Sequence, residues 1–262
     1  MDDEQKPNLE ESDLPIASPA ASRFPWGELL LYLLGGFGLF SLASVGVAFL
    51  SPHLGQTAIV LVALTNLVFI GGSAWYLGVL RHKTSWDAMG FVPVRWRWSW
   101  LFIAIGLSLA LMPLRGLAGL IASYLIEGGL DSLQARADLM MGSSMEFSWL
   151  GFALTFVSVG IIAPLSEELY FRGLLHRLFQ PHLKFWLRVL LSSSLFALAH
   201  FDSVGVVVSS FVMGVIIALA YERSKSLWLP IAIHMATNSI AVLLLYLMLL
   251  LHNILPSGVM QF

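Results

Sequence analysis

Long apolar runs separated by short polar connections set the pattern of the chain. They occupy residues of about 28–50, 57–80, 98–126, 149–179, 187–201, 204–221 and 227–252. A helix crossing the hydrocarbon of a bilayer needs about 20 apolar residues at a rise of about 1.5 Å each. The pattern therefore predicts an all-α, polytopic membrane bundle of seven helices. Pro113 and Arg115 interrupt the third run, and reading it as two half-helices gives eight. The fourth run is too long for the hydrocarbon and must project beyond it.

Composition agrees with the pattern. Hydrophobic residues make up 58% of the chain, against 14 Lys and Arg and 16 Asp and Glu, far below the roughly 25% charged content of a soluble domain. No Asp, Glu, Lys or Arg occurs between Glu28 and Arg81, or from Ser226 onward, and only lipid or protein surrounds such stretches. The absence of cysteine excludes a disulfide, a thiolate nucleophile and Cys-ligated zinc. A net charge of −2 points to no nucleic-acid partner. Residues 1–25 are acidic and rich in Pro, Ser and Ala, and read as a disordered cytoplasmic tail, not as a signal peptide. Residues 26–262 read as a single transmembrane domain, with the chemistry concentrated at about 150–245.

Charge asymmetry orients the spans. Basic residues cluster in three connections, namely Arg81, Lys83, Arg95 and Arg97, then Lys184 and Arg188, then Arg223 and Lys225. The positive-inside rule puts these in the cytoplasm, with the N-terminus, and leaves the acidic 127–146 segment outside. Tryptophans at 26, 86, 96, 98, 100, 149, 186 and 228 fall near span ends, as an aromatic belt requires.

Ionisable side chains inside a span are costly and point to function. Glu167, Glu168 and Arg172 lie on the fourth helix. Glu168 and Arg172 are four residues apart and share a face, whereas Glu167 is rotated by about 100° and faces elsewhere. His200 follows on the fifth run, with Phe196 one turn below it. Glu167 lies 14 residues before Pro181 and His200 14 residues after Trp186, which puts both about 21 Å along antiparallel helices. His234 and Asn238 share a face of the last run, but counting from Lys225 puts His234 only about 14 Å along its helix. Its meeting the other pair requires the fourth helix to reach further into the cytoplasm. Arg115, beside Pro113, lines the cavity or snorkels to an interface. His53, His82, His176, His182 and His252 fall at predicted ends or loops and are left out of the site.

A carboxylate beside an imidazole can hold and deprotonate a water. A second histidine and an amide can donate to the oxyanion formed when that water attacks a peptide carbonyl. In order, the motifs are Glu167-Glu168-x-x-x-Arg172, Phe196-x-x-x-His200 and His234-x-x-x-Asn238. Together they resemble the CPBP family, which includes the type II CAAX prenyl proteases and the bacterial Abi, or bacteriocin-processing, homologues. The resemblance covers roughly residues 160–240. It implies an intramembrane glutamic endopeptidase without a cofactor, acting on a peptide or protein substrate from within the lipid bilayer. Glu167 and His200 would hold the water, His234 and Asn238 would bind the oxyanion, and Glu168 and Arg172 would support the site. The family's breadth implies a bacterial inner membrane. Nothing in the sequence indicates prenylation of the substrate.

Two other readings stay open. One glutamate and two histidines can furnish a three-ligand catalytic zinc site, although no HExxH is present and Arg172 would repel a dication. A non-catalytic scaffold or transporter can use the same charges for docking or proton relay, although no inverted repeat is visible. Serine and aspartyl protease chemistries find no support. There is no GxSG, and Asp202 is the only acid near the end of its span.

Overall fold

The computed structural model describes residues 24–54, 57–83, 85–92, 98–133, 147–201 and 203–254. The predicted tail up to residue 23, Arg95, Trp96, Arg97, most of the acidic 127–146 segment and Asp202 lie outside the described residues. Phe24, placed in the tail by sequence, stacks on Phe179 with ring centroids 6.1 Å apart.

Seven long helices are found among the described residues: α1 (Trp26–Val47), α2 (Ala58–Leu80), α3 (Trp98–Glu127), α4 (Trp149–Phe179), α5 (Phe185–Leu198), α6 (Val204–Ser224) and α7 (Trp228–Leu251). All except α5 are long and apolar enough to cross a membrane, and the chain is a multi-pass helical membrane protein. Each expected run is recovered as one helix. The third does not break into half-helices, because helical structure continues through Pro113. The fifth is shorter than expected, at 14 residues. Tryptophan opens α1, α3, α4 and α7, where its ring can bridge lipid and headgroups.

The centre of the bundle is α4. A helix on the outside of a bundle buries one stripe, whereas all eight residues of Leu169–His176 are buried. Tyr170, Phe171 and Leu175 pack there against Tyr32, Ile70 and Phe196 from α1, α2 and α5. Helix α7 lies along α4 on another side, and α3 closes the bundle by packing on α6 and α7.

All three basic connections meet at one end. The backbone N–H of Leu227 donates to Gly90 O at 2.8 Å, joining the α6–α7 turn to the α2–α3 connection. Arg188 and Lys225 both donate to Glu222. His176, which the sequence placed near a loop, is fully buried in this cluster. Its Nε2–H donates to Glu222 Oε1 at 2.8 Å and its Nδ1 meets Ser192 Oγ at 2.8 Å. The burial follows from α5 and α6 packing beside the last turns of α4.

At the opposite end α3 and α6 cross at small residues, which let two backbones approach closely. A Cβ on Gly119 would sit 2.8 Å from the Gly205 carbonyl oxygen, and one on Gly205 would sit 2.7 Å from that of Gly119. Gly205→Val should therefore lower the unfolding free energy in mixed micelles by about 1–3 kcal/mol, the usual cost of overpacking. Gly106→Ala, where an added Cβ meets nothing within 4 Å, should not lower it.

Candidate active site

Helix α4 brings two adjacent glutamates to the middle of the bundle and gives them different surroundings. Glu168 is completely buried. Its Oε1 accepts from Arg172 Nη1 at 3.2 Å, the expected i,i+4 pair, and from His234 Nδ1 at 2.7 Å. Arg172 is equally buried. Its Nη2 donates to the Gly214 carbonyl on α6 at 3.0 Å, and its guanidinium carbon lies 4.7 Å from the centre of the Phe196 ring. One ion pair thus links α4 to α5, α6 and α7.

Glu167 faces away from the arginine, as its rotation requires, and keeps 13% of its side chain exposed. Its Oε1 accepts from Asn66 Nδ2 on α2 at 3.1 Å. Its Oε2 stands 3.7 Å from His234 Nε2, beyond hydrogen-bond length. His234 therefore lies between the two carboxylates. Its Nδ1–H must donate to Glu168, since an ionised carboxylate only accepts, and this turns Nε2 toward Glu167. When His234 is protonated, the two glutamates, Arg172 and the imidazolium sum to zero charge.

His200 lies just beyond α5 and donates Nδ1–H to the Phe196 carbonyl at 2.9 Å. The Phe196 ring contacts both imidazoles, with centroids 4.9 Å from His200 and 5.6 Å from His234. Phe196 is thus the shared wall between the histidines. Asn238 extends from α7 to the α4 backbone, donating Nδ2–H to Val159 O at 3.1 Å, and its second N–H remains for another acceptor. All seven residues expected from sequence come from the α4, α5 and α7 segments. Glu167 also meets Asn66, which the sequence reading did not single out. An asparagine in an otherwise uncharged span was the available signal.

The depth mismatch expected for His234 is resolved by the α2–α3 connection. A Cβ on Gly173 would lie 3.2 Å from Met89 O and 3.3 Å from Leu227 Cδ1, so α7 begins level with Gly173 and not at the end of α4. From that level Glu168 is about 7.5 Å along α4 and His234 about 10.5 Å along α7.

Among the described residues no group of three or more His, Asp or Glu side chains is arranged to hold a metal ion.

Comparison with known proteins follows the same segment. Residues 149–240 match the profile of a family described as type II CAAX prenyl endopeptidase Rce1-like. The resemblance read from the motifs is borne out there. The chain is 41% identical over 91 residues to the membrane-embedded CAAX protease MroQ of Staphylococcus aureus, covering 32% of this chain and 36% of that protein. It is 27% identical over 130 residues to the putative membrane peptidase YdiL of Bacillus subtilis, covering 50% of each. An uncharacterized 24.3 kDa protein of Escherichia coli is 34% identical over 94 residues, 34% of this chain and 43% of that one. The chain thus spans half or less of the length of these curated relatives. No solved structure matches.

Removing one partner of a buried pair leaves an uncompensated charge, at a cost of about 3–5 kcal/mol. Arg172→Ala should lose that much unfolding free energy in mixed micelles. Arg172→Lys should not restore it, because an ammonium cannot reach Glu168 and Gly214 O in the planar fork that the guanidinium provides.

Proposed function

We propose that the protein is an intramembrane endopeptidase in which Glu167 acts as general base on a water molecule. The observation that carries this reading is the division of labour between adjacent glutamates. Glu168 is bound up in a buried ion pair and structural, whereas Glu167 is partly exposed and faces an imidazole. The likeness to proteins named as CAAX protease and membrane peptidase supports it.

In this mechanism Glu167, with His200 helping to hold the water, takes one proton as the water oxygen bonds to the peptide carbonyl carbon. The carbonyl oxygen becomes an oxyanion and accepts from Nε2–H of His234 in its protonated form, whose Nδ1–H stays hydrogen-bonded to Glu168, and from the second Nδ2–H of Asn238. As the C–N bond breaks, its electron pair stays on nitrogen, which receives the proton from Glu167. Glu168 and Arg172 hold His234 in the orientation this needs. Substrate identity is left unassigned. Placement in a bacterial inner membrane, with the basic end and the N-terminus in the cytoplasm, completes the proposal.

The test is cleavage of a quenched-fluorescent peptide library by the protein in proteoliposomes. Glu167→Gln should reduce the rate by about 10²–10⁴-fold, the range for loss of a general base, and wild-type cleavage should persist with a chelator. Chelator-sensitive cleavage restored by zinc would replace the glutamic mechanism with a zinc hydrolase. No cleavage by any form would overturn the enzyme in favour of a partner-binding scaffold.

A further inference from the structure

Asn66 lies in α2, outside the segment matched to the family, yet it is hydrogen-bonded to Glu167. It is 6% exposed and donates Nδ2–H to Glu167 Oε1 at 3.1 Å. Because an ionised carboxylate only accepts, the amide must present its NH₂ group to Glu167. Its oxygen then points away, and Asn66 Oδ1 is buried with no hydrogen-bond partner among the described residues. A buried acceptor beside a carboxylate, left without a donor, is a seat for water. The contact is built in by the packing of α2 on α4. One turn further along α2, a Cβ on Gly71 would lie 3.2 Å from Ser166 Oγ, next to Glu167 in sequence. That close approach brings Asn66 within reach.

We propose that Asn66 is the positioning residue for Glu167, fixing the orientation of its carboxylate while Oδ1 accepts a hydrogen bond from the water to be activated. The inference rests on the reading of Glu167 as general base. The charged or titratable groups near Glu167 include Glu168 and Arg172 on its own helix and His234 on α7, with His200 against the Phe196 ring that also meets His234. Helix α2 contributes a neutral amide, so its removal changes hydrogen bonding without removing a charge. A donor lost from the ionised form raises the pH at which that form appears.

Two measurements on the full chain in lipid test this. Infrared titration of the protonated-carboxyl band, assigned by its loss in Glu167→Gln, reads the ionisation midpoint without requiring activity. Asn66→Leu should move that midpoint up by about one pH unit, a tenfold change in the ionised fraction on the acid side. Asn66→Asp, closer in shape and a safeguard if the leucine variant misfolds, should move it further by like-charge repulsion. The acid limb of kcat/KM should shift by the same amount, with KM little changed. An unmoved midpoint in either folded variant overturns the assignment, even if Glu167-dependent cleavage is found. A moved midpoint with no cleavage by any form keeps Asn66 as the partner of Glu167 and removes the protease.

Discussion

Burying the Glu168 carboxylate obliges the rest of the bundle to converge on it. A lone ion at that depth would cost several kcal/mol even after relaxation, and the chain answers with two donors from different helices, Arg172 and His234. Arg172 carries its own desolvation cost and draws in the Gly214 carbonyl and the Phe196 ring. Phe196 in turn contacts both histidines, tilted against His200 and edge-on to His234. Four helices are therefore held in register by the need to neutralise one charge, and Glu167 inherits its place from its neighbour. Because Arg172 and His234 bind Glu168 through Oε1 and leave Glu167 outside the pair, the second carboxylate is left available for chemistry.

The two ends of the bundle are fastened by different means. At the basic end Glu222 gathers Arg188, Lys225 and His176, tying the α4–α5 and α6–α7 connections together. At the other end Glu127 caps α6 through the Val204 N–H, at 2.9 Å, and accepts from Ser132. Between them aromatic and aliphatic side chains fill the core, with a few buried hydroxyl pairs such as Thr155–Tyr246 and Ser108–Thr237. Charges thus sit where headgroups and water can help solvate them, or where another charge does so.

Much of this was legible in the sequence because helical periodicity is regular. Length and hydropathy located every span, and the i,i+4 spacing correctly paired Glu168 with Arg172 and placed Glu167 on a different face. Depth was less legible. Counting from loops treats each connection as lying at the membrane surface, whereas the turn at Gly90 tucks under α4 and starts α7 several residues deeper. That moved His234 up to the glutamates, 3.7 Å from Glu167 and 2.7 Å from Glu168. Asn66 escaped notice because a neutral amide does not announce itself in a scan for ionisable groups, and its partner lies 101 residues away. His176 looked like a loop residue because nothing local in sequence reports that α5 and α6 will cover the end of α4.

The shortness of α5 bears on how water can reach the candidate site. Fourteen helical residues cover about 21 Å of a hydrocarbon layer about 30 Å thick. The difference of about 9 Å is met by local thinning of the bilayer or by an end of α5 lying below the lipid surface. Where the shortfall falls at the C-terminal end of α5, the low-dielectric barrier is thinned beside His200. Hydration can approach the Phe196 wall there, along a route much shorter than the full thickness of the membrane.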